Sequence, residues 1–199
     1  MNVAPLFASH LIETSLEEDT EELKNDRSYR SASRDNRFEI QKDNIRVLEK
    51  YPRIKMGLLN TWKGCAKNFF KYSDDFIIST SWITKTYSGD NSQFHHHKNS
   101  FYSGVYFFGE YGEDVGHLKF TNPLLKFPDF LLVPSEYNIH NSDSWSIKPE
   151  TNKLVFFPSY LSHSIAEHKS HKARYSLAFN IVPTGKYGGG DSTYNTSWT

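Results

Sequence analysis

Lys153-Leu-Val-Phe-Phe-Pro-Ser-Tyr-Leu-Ser-His163 places an apolar run, a turn and a histidine in succession. The apolar part, Lys153 to Phe157, reads as a buried strand, and Pro158-Ser159 as the turn that ends it. His163 then falls where a side chain at a strand end faces a cleft. Four similar runs lie elsewhere in the chain: Phe76 to Thr86, alternating loosely around Ile78, Trp82 and Ile83; Tyr102 to Phe108; Gly116 to Phe120; and Tyr175 to Val182. Gly89-Asp90-Asn91, the stretch Gly109 to Gly112, and Asn122-Pro123 punctuate them. Many short strands separated by turn formers indicate an all-β sandwich or barrel. No internal repeat is visible.

Upstream the pattern differs. Residues 3–12 read as a short extended segment, and Ser15 with Glu18 three residues later predicts a short capped helix. Asp26 to Asn36, rich in Ser, Arg, Asp and Asn, reads as a mobile polar loop. From Ile54 to Tyr72 the apolar residues Leu58, Trp62, Cys65 and Phe69 recur on one helical face, with Pro52 near the start. Gly57 and Gly64 weaken that helix. The stripe reads as core packing, and Cys65 as a small buried residue rather than a nucleophile. The Gly-, Ser-, Thr- and Tyr-rich tail, Gly185 to Thr199, is expected to cross the surface.

Bulk composition narrows the function classes. The chain has 199 residues, 37% hydrophobic and 16% aromatic, enough for one domain with a substantial core. Its 23 basic residues balance 23 acidic ones, so the overall basic footprint of a nucleic-acid binder is missing. No apolar run approaches the ~20 residues that a membrane helix requires. Met1 to Ala8 lacks the charged start and long apolar stretch of a secretory signal. With one cysteine, Cys65, no internal disulfide forms, which fits a reduced, cytoplasmic location.

The nine histidines carry more information. In Phe94-His95-His96-His97 the triplet is internal and flanked by strand-like sequence, unlike a tag, though solvated surface histidine is the plain alternative. On a strand His95 and His97 face one way and His96 the other. Two neutral imidazoles so placed reach one metal ion, at roughly 2.0–2.2 Å each. His163 is the best candidate for a third ligand. Farther on, Arg174-Tyr175-Ser176 lies in the next strand, with Arg174 and Ser176 on one face. An arginine in an apolar strand needs an anion, since burying a lone guanidinium costs several kcal/mol. A ligand carboxylate is a suitable partner, with a hydroxyl two residues along adding a hydrogen bond. An internal salt bridge or an exposed edge arginine is the bland alternative.

These residues resemble the iron(II)/2-oxoglutarate-dependent oxygenases of the double-stranded β-helix (jelly-roll, cupin-like) fold, and especially a branch found in phages and marine bacteria. The matching blocks are Ser81-Trp-Ile83, His95-His-His-Lys-Asn-Ser100, Ser103-Gly-Val-Tyr-Phe-Phe108, Gly116-His-Leu-Lys-Phe120 with Asn122-Pro123, Ile147 to Ser159, His163, and Arg174-Tyr-Ser-Leu-Ala-Phe-Asn180. They cover roughly residues 76–183, and Ala4-Pro-Leu-Phe7 also looks like that branch.

The resemblance implies a mainly β domain over 1–199. Residues 1–72 would form the extended segment, polar loop and one or two supporting helices, 73–183 the double-stranded β-helix, and 184–199 a surface tail. It implies Fe(II) as cofactor, 2-oxoglutarate and O2 as cosubstrates, and hydroxylation of a further substrate with release of succinate and CO2. His95 and His163 would be metal ligands, Arg174 would hold the distal carboxylate of 2-oxoglutarate beside Ser176, and Tyr106 would face the cosubstrate pocket. Tyr102 and Asn180 are weaker candidates there. Most members have a carboxylate where this chain has His97. The site is then three-histidine, or takes a carboxylate from Asp90, Glu113 or Asp114, or has lost turnover; the first is preferred, because the branch shares the His-x-His form. Substrate lids are expected over Gly109–Val115 or Phe127–Ser144. Alternative readings are a cupin-like metal- or ligand-binding protein and a structural interaction protein on a β-sandwich. The main substrate, a peptide or a small molecule, is not specified, nor is the oligomeric state, a homodimer included. A phage gene would place the protein in the host cytoplasm.

Overall fold

The Tyr102–Phe108 run forms a strand, β5 (Tyr102–Tyr106), in which every residue is buried. Such a strand needs cover on both faces, and two separate apolar cores provide it. The structure, a computed structural model, describes residues 8–26, 30–31, 39–40, 45–124 and 132–198. In chain order the other strands are β1 (Ile12–Ser15), β2 (Arg30–Ser31), β3 (Glu39–Ile40), β4 (Asp75–Thr86), β6 (Leu118–Thr121), β7 (Ser144–Ile147), β8 (Lys153–Pro158), β9 (His163–Ile165), β10 (Arg174–Tyr187) and β11 (Tyr194–Thr196). The helices are α1 (Glu21–Asn25) and α2 (Pro52–Cys65), the latter running on into a π turn, Ala66–Phe70.

The strands pair into two antiparallel sheets. The larger has the order β1-β8-β5-β10-β4-β3-β2, with β11 also on β10; the smaller is β7-β6-β9. Between the sheets, Val105, Phe107, Val155 and Phe157 of the large sheet meet Leu118, Phe120 and Ile147 of the small one. On the other face of the large sheet, Tyr102, Tyr106, Phe156, Leu177 and Phe179 pack with Leu58 and Trp62 of α2. Strand alternation sorts these residues: along β10, Leu177, Phe179 and Ile181 face the helix, and Arg174, Ser176 and Ala178 face the small sheet. This is the expected double-stranded β-helix with a supporting helix.

Several local expectations are corrected. Ser15 ends β1 instead of capping a helix; the helix comes later, as α1, and its N-cap Thr20 makes no side-chain cap bond. Pairing with β8, Ile12 opposite Phe156, holds that segment extended. The α2 stripe is correct through Leu58 and Trp62, but Phe69 is 62% exposed. A π turn inserts an extra residue and rotates the rest of the turn, so Phe70 rather than Phe69 turns toward Trp62, with ring centroids 6.2 Å apart. Cys65 is half-buried, and burial raises its thiol pKa. The tail does not simply cross the surface: β10 runs on to Tyr187, and β11 folds back on it with Thr196 opposite Gly185. The expected loop from Asp26 to Asn36 lies almost wholly outside the described residues, as do residues 1–7.

Gly104 of β5 shows how tightly the large sheet is filled, because a Cβ there would lie 2.2 Å from the Phe179 ring. Gly104→Ala is expected to cost about 1–3 kcal/mol through overpacking. Urea unfolding measures it, and an unchanged midpoint would show that Phe179 has room to move.

Candidate metal and cosubstrate site

His95, His97 and His163 converge, each offering one ring nitrogen, with those atoms all within 4.8 Å of one another. Two backbone hydrogen bonds set this up. The His95 N–H donates to the His163 carbonyl at 2.9 Å, and the His163 N–H donates back at 2.8 Å. Residues 94–97 are therefore not the expected strand: His95 makes a single antiparallel bridge to the edge of β9, and the His97 N–H donates to the Ser159 carbonyl at 2.9 Å. The outcome is nevertheless the expected one, with His95 and His97 directed together and His96 exposed.

Hydrogen bonds fix how the rings present themselves. Nδ1 of His95 lies 2.9 Å from the Gln93 carbonyl, and Nδ1 of His163 lies 2.9 Å from the Leu161 carbonyl. A carbonyl only accepts, so both rings carry their proton on Nδ1 and leave the Nε2 lone pair free. Nδ1 of His97 donates to Oδ1 of Asn180 at 2.7 Å, and the ring stacks on Trp82 with centroids 5.3 Å apart. Burial lowers the pKa of His97 and brings that of His163 down to about 3, so both rings are neutral at pH 7. Three imidazoles with inward lone pairs are a donor set suited to a divalent transition metal.

The same cleft contains Arg174, 1% exposed. Its Nε donates to the Gly116 carbonyl at 3.0 Å and its Nη1 to Ser176 Oγ at 3.1 Å. The Phe107 ring lies 5.2 Å beneath the guanidinium. Burial lowers the Arg174 pKa to about 10, opposed by nearby Tyr111, so it stays charged at neutral pH. Among the described residues no carboxylate pairs with it. Because Nη1 bonds a residue two positions farther along β10, the guanidinium leans toward the histidines. Ser176 and Arg174 are four and six residues from Asn180, roughly 13 and 20 Å along the strand.

Not every expected residue belongs here. Tyr106 is a correction: it faces α2, is fully buried in the helix-side core, and its hydroxyl donates to the Leu16 carbonyl at 3.0 Å. Tyr102 shares that face. The inward residue between them and the small sheet is Val105. Asp90 accepts from the Tyr87 N–H at 3.0 Å, and neither it, Glu113 nor Asp114 joins the histidine group. Gly109–Val115 is anchored rather than free: the Tyr111 hydroxyl donates to the Tyr175 carbonyl and accepts from the Gly109 N–H. Residues 127–131 of the second expected lid, Phe127–Ser144, lie outside the described residues.

Sequence reading singled out neither His168 nor Trp145. His168, 1% exposed, accepts from the Gly116 N–H at 3.1 Å and donates from Nε2 to the Lys172 carbonyl at 2.7 Å. It thereby holds the glycine whose carbonyl receives Arg174. Trp145 lies opposite Phe120, which lies opposite His163, so all three share the inner face of the small sheet. Trp145 is still 44% exposed, because it stands at the open edge.

Fold and site together define a non-haem iron, 2-oxoglutarate-type oxygenase. Residues 80–180 match the family model described as "Putative 2OG-Fe(II) oxygenase", and the chain belongs to that family. No curated protein matches at a significant level. Among solved structures, HygX from Streptomyces hygroscopicus, with nickel, 2-oxoglutarate and hygromycin B bound, is similar at a TM-score of 0.58 and 8% identity, over 88% of this chain and 84% of that one. A Pseudomonas putida prolyl-4-hydroxylase is similar at 0.55 and 13%, over 85% and 91%. A 2OG-Fe(II) oxygenase family oxidoreductase from Burkholderia pseudomallei has a TM-score of 0.43 and 11% identity, over 61% of this chain and 55% of its own. At these identities the likeness to HygX and to the prolyl-4-hydroxylase shows the fold alone. The cofactor of the family is Fe(II), with 2-oxoglutarate and O2 as cosubstrates. No helix of the described residues is long and apolar enough to cross a membrane.

The depressed pKa of His163 makes stability pH-dependent. Above pH 6.5 its ring is neutral both folded and unfolded. Between 6.5 and about 3 only the unfolded chain takes up the proton, so the fold loses stability as pH falls. Denaturant unfolding of metal-free protein should show a loss of about 1 kcal/mol per pH unit below 6 from this residue. His163→Gln should flatten that slope, and an equal slope in the variant would mean that the ring titrates normally.

Proposed function

We propose that His95, His97 and His163 hold iron(II) through Nε2, and that Arg174 with Ser176 holds the distal carboxylate of 2-oxoglutarate in the same cleft. The observation that carries this reading is a fully buried guanidinium without a described acidic partner, facing the cleft into which three imidazoles point. Iron(II), when bound, supplies the activation of O2 that couples decarboxylation of 2-oxoglutarate to hydroxylation of a second substrate.

The chain's own residues bind, orient and exclude. The backbone carbonyls of Gln93 and Leu161 keep two rings in the tautomer that leaves Nε2 unprotonated. Arg174 receives the carboxylate in a geometry that Gly116 and Ser176 already hold, so little ordering is left for binding. Val105, Leu118 and Phe157 line the cleft and keep water from most of it. The protein brings positive charge and no acid among these cleft-lining groups, and a dianionic cosubstrate balances it. We further infer that the main substrate, a peptide or a small molecule, approaches over the open side where His95 and Trp145 are exposed.

Anaerobic titration of the iron(II)-loaded protein with 2-oxoglutarate tests the assignment. A weak visible metal-to-ligand charge-transfer band is expected at one iron per chain; its absence together with non-stoichiometric iron would contradict the reading. Arg174→Gln should weaken 2-oxoglutarate binding by about 10–100-fold, the worth of a charge-assisted hydrogen bond, while iron content stays near wild type. Equal loss of both would indicate a folding role for Arg174.

A further inference from the structure

The three histidines are not held alike. His95 and His163 each donate to a backbone carbonyl two residues back in the chain, an acceptor that local geometry supplies. The acceptor for His97 is a side chain 83 residues away, Oδ1 of Asn180 on β10. That amide is itself fixed from two neighbouring strands. Ser103 Oγ of β5 donates to the same Oδ1 at 2.8 Å, and Nδ2 donates to Thr80 Oγ1 of β4 at 2.9 Å. Trp82 stacks on the His97 ring and sets its plane, but stacking does not distinguish the two nitrogens.

We propose that Asn180 is a positioning residue that selects the His97 tautomer and so makes His97 a metal donor; this rests on the ligand set proposed above. A neutral imidazole carries one proton, on Nδ1 or on Nε2, and the hydrogen bond at one nitrogen decides which. An acceptor oxygen at Nδ1 leaves Nε2 with a lone pair directed at His95 and His163. Turned over, the amide would present N–H to Nδ1, move the proton to Nε2 and point an N–H at the metal position. As placed, the amide turns Oδ1 toward His97 and Ser103 and Nδ2 toward Thr80. The amide is also a neutral acceptor, so it orients the ring without adding negative charge at a position where most of the family has a carboxylate. The strand itself does not depend on this amide, since the adjacent Phe179 and Ile181 are fully buried and anchor β10 from the other face.

Two readouts separate this role from a structural one. Long-range proton–nitrogen NMR of the metal-free protein reports each histidine tautomer, and cobalt(II) titration reports affinity. The wild type should show the Nδ1–H form for all three rings. Asn180→Leu should shift His97 alone toward Nε2–H and lower cobalt affinity about 10–100-fold. Asn180→Asp, which keeps an acceptor oxygen, should restore both to near wild type. Should Asn180→Leu fold poorly, Thr80→Val removes only the Nδ2 partner, and a few-fold loss of affinity with partial tautomer exchange is expected. The Nε2–H form in wild type, an unchanged His97 tautomer in Asn180→Leu, or equal damage from Leu and Asp would overturn the role of Asn180. Unchanged cobalt affinity in His97→Ala would instead overturn the ligand set, so the two failures are distinguishable.

Discussion

A charged guanidinium removed from water is the constraint around which this molecule is arranged. Arg174 is 1% exposed in a strand whose other inward residues are small, and several kcal/mol attach to burying such a charge without an anion. The groups that receive it are neutral: a glycine carbonyl, a serine hydroxyl and the face of Phe107. They lower the cost of burial without cancelling the charge. His168, itself held by the Lys172 carbonyl, holds the glycine, and Tyr111 ties the loop above it to β10. The loop structure at this end of the sandwich thus keeps one cation buried among neutral partners, with no acidic partner among the described residues.

The rest of the fold gives that cation its setting. Burying the large sheet on both faces separates a dry, aromatic helix side from an inward side that alternates polar and apolar along β10. Phe179 filling the space above Gly104 and Trp62 packing on Tyr102 belong to the first side and make β10 and β5 stiff. Arg174, Ser176 and Asn180 belong to the second, where stiffness becomes placement. The small sheet closes over them and ends in β9, whose exposed edge takes His95 through one pair of backbone hydrogen bonds. The cleft is therefore built from a rigid sheet, a strand edge and an irregular segment, each contributing different side chains.

Much of this was legible in the sequence. The five apolar runs became β4, β5, β6, β8 and β10, because buried strands announce themselves through apolar residues bounded by turn formers. The histidines and Arg174 were legible through residue type and spacing together, and the fold brings them to one cleft. The features that could not be read were set by non-local contacts. The paired face of Tyr106 depends on which side α2 covers, and alternation alone does not specify it. Phe69 turned outward because of a π turn that leaves no mark in periodicity. The contacts of His168 and Trp145 are with partners tens of residues away, so their isolated positions carried little signal, and Asn180 stood out only weakly. β7 and β9 are too short, at four and three residues, to stand out from the loops around them.

The most direct measurement is an anaerobic crystal structure with iron(II) and 2-oxoglutarate. The expected result is one metal ion about 2.0–2.2 Å from Nε2 of His95, His97 and His163, with the distal carboxylate of 2-oxoglutarate on the Arg174 guanidinium. A metal held by Asp90 or another carboxylate in place of His97, or a cosubstrate bound away from Arg174, would contradict the site as assigned.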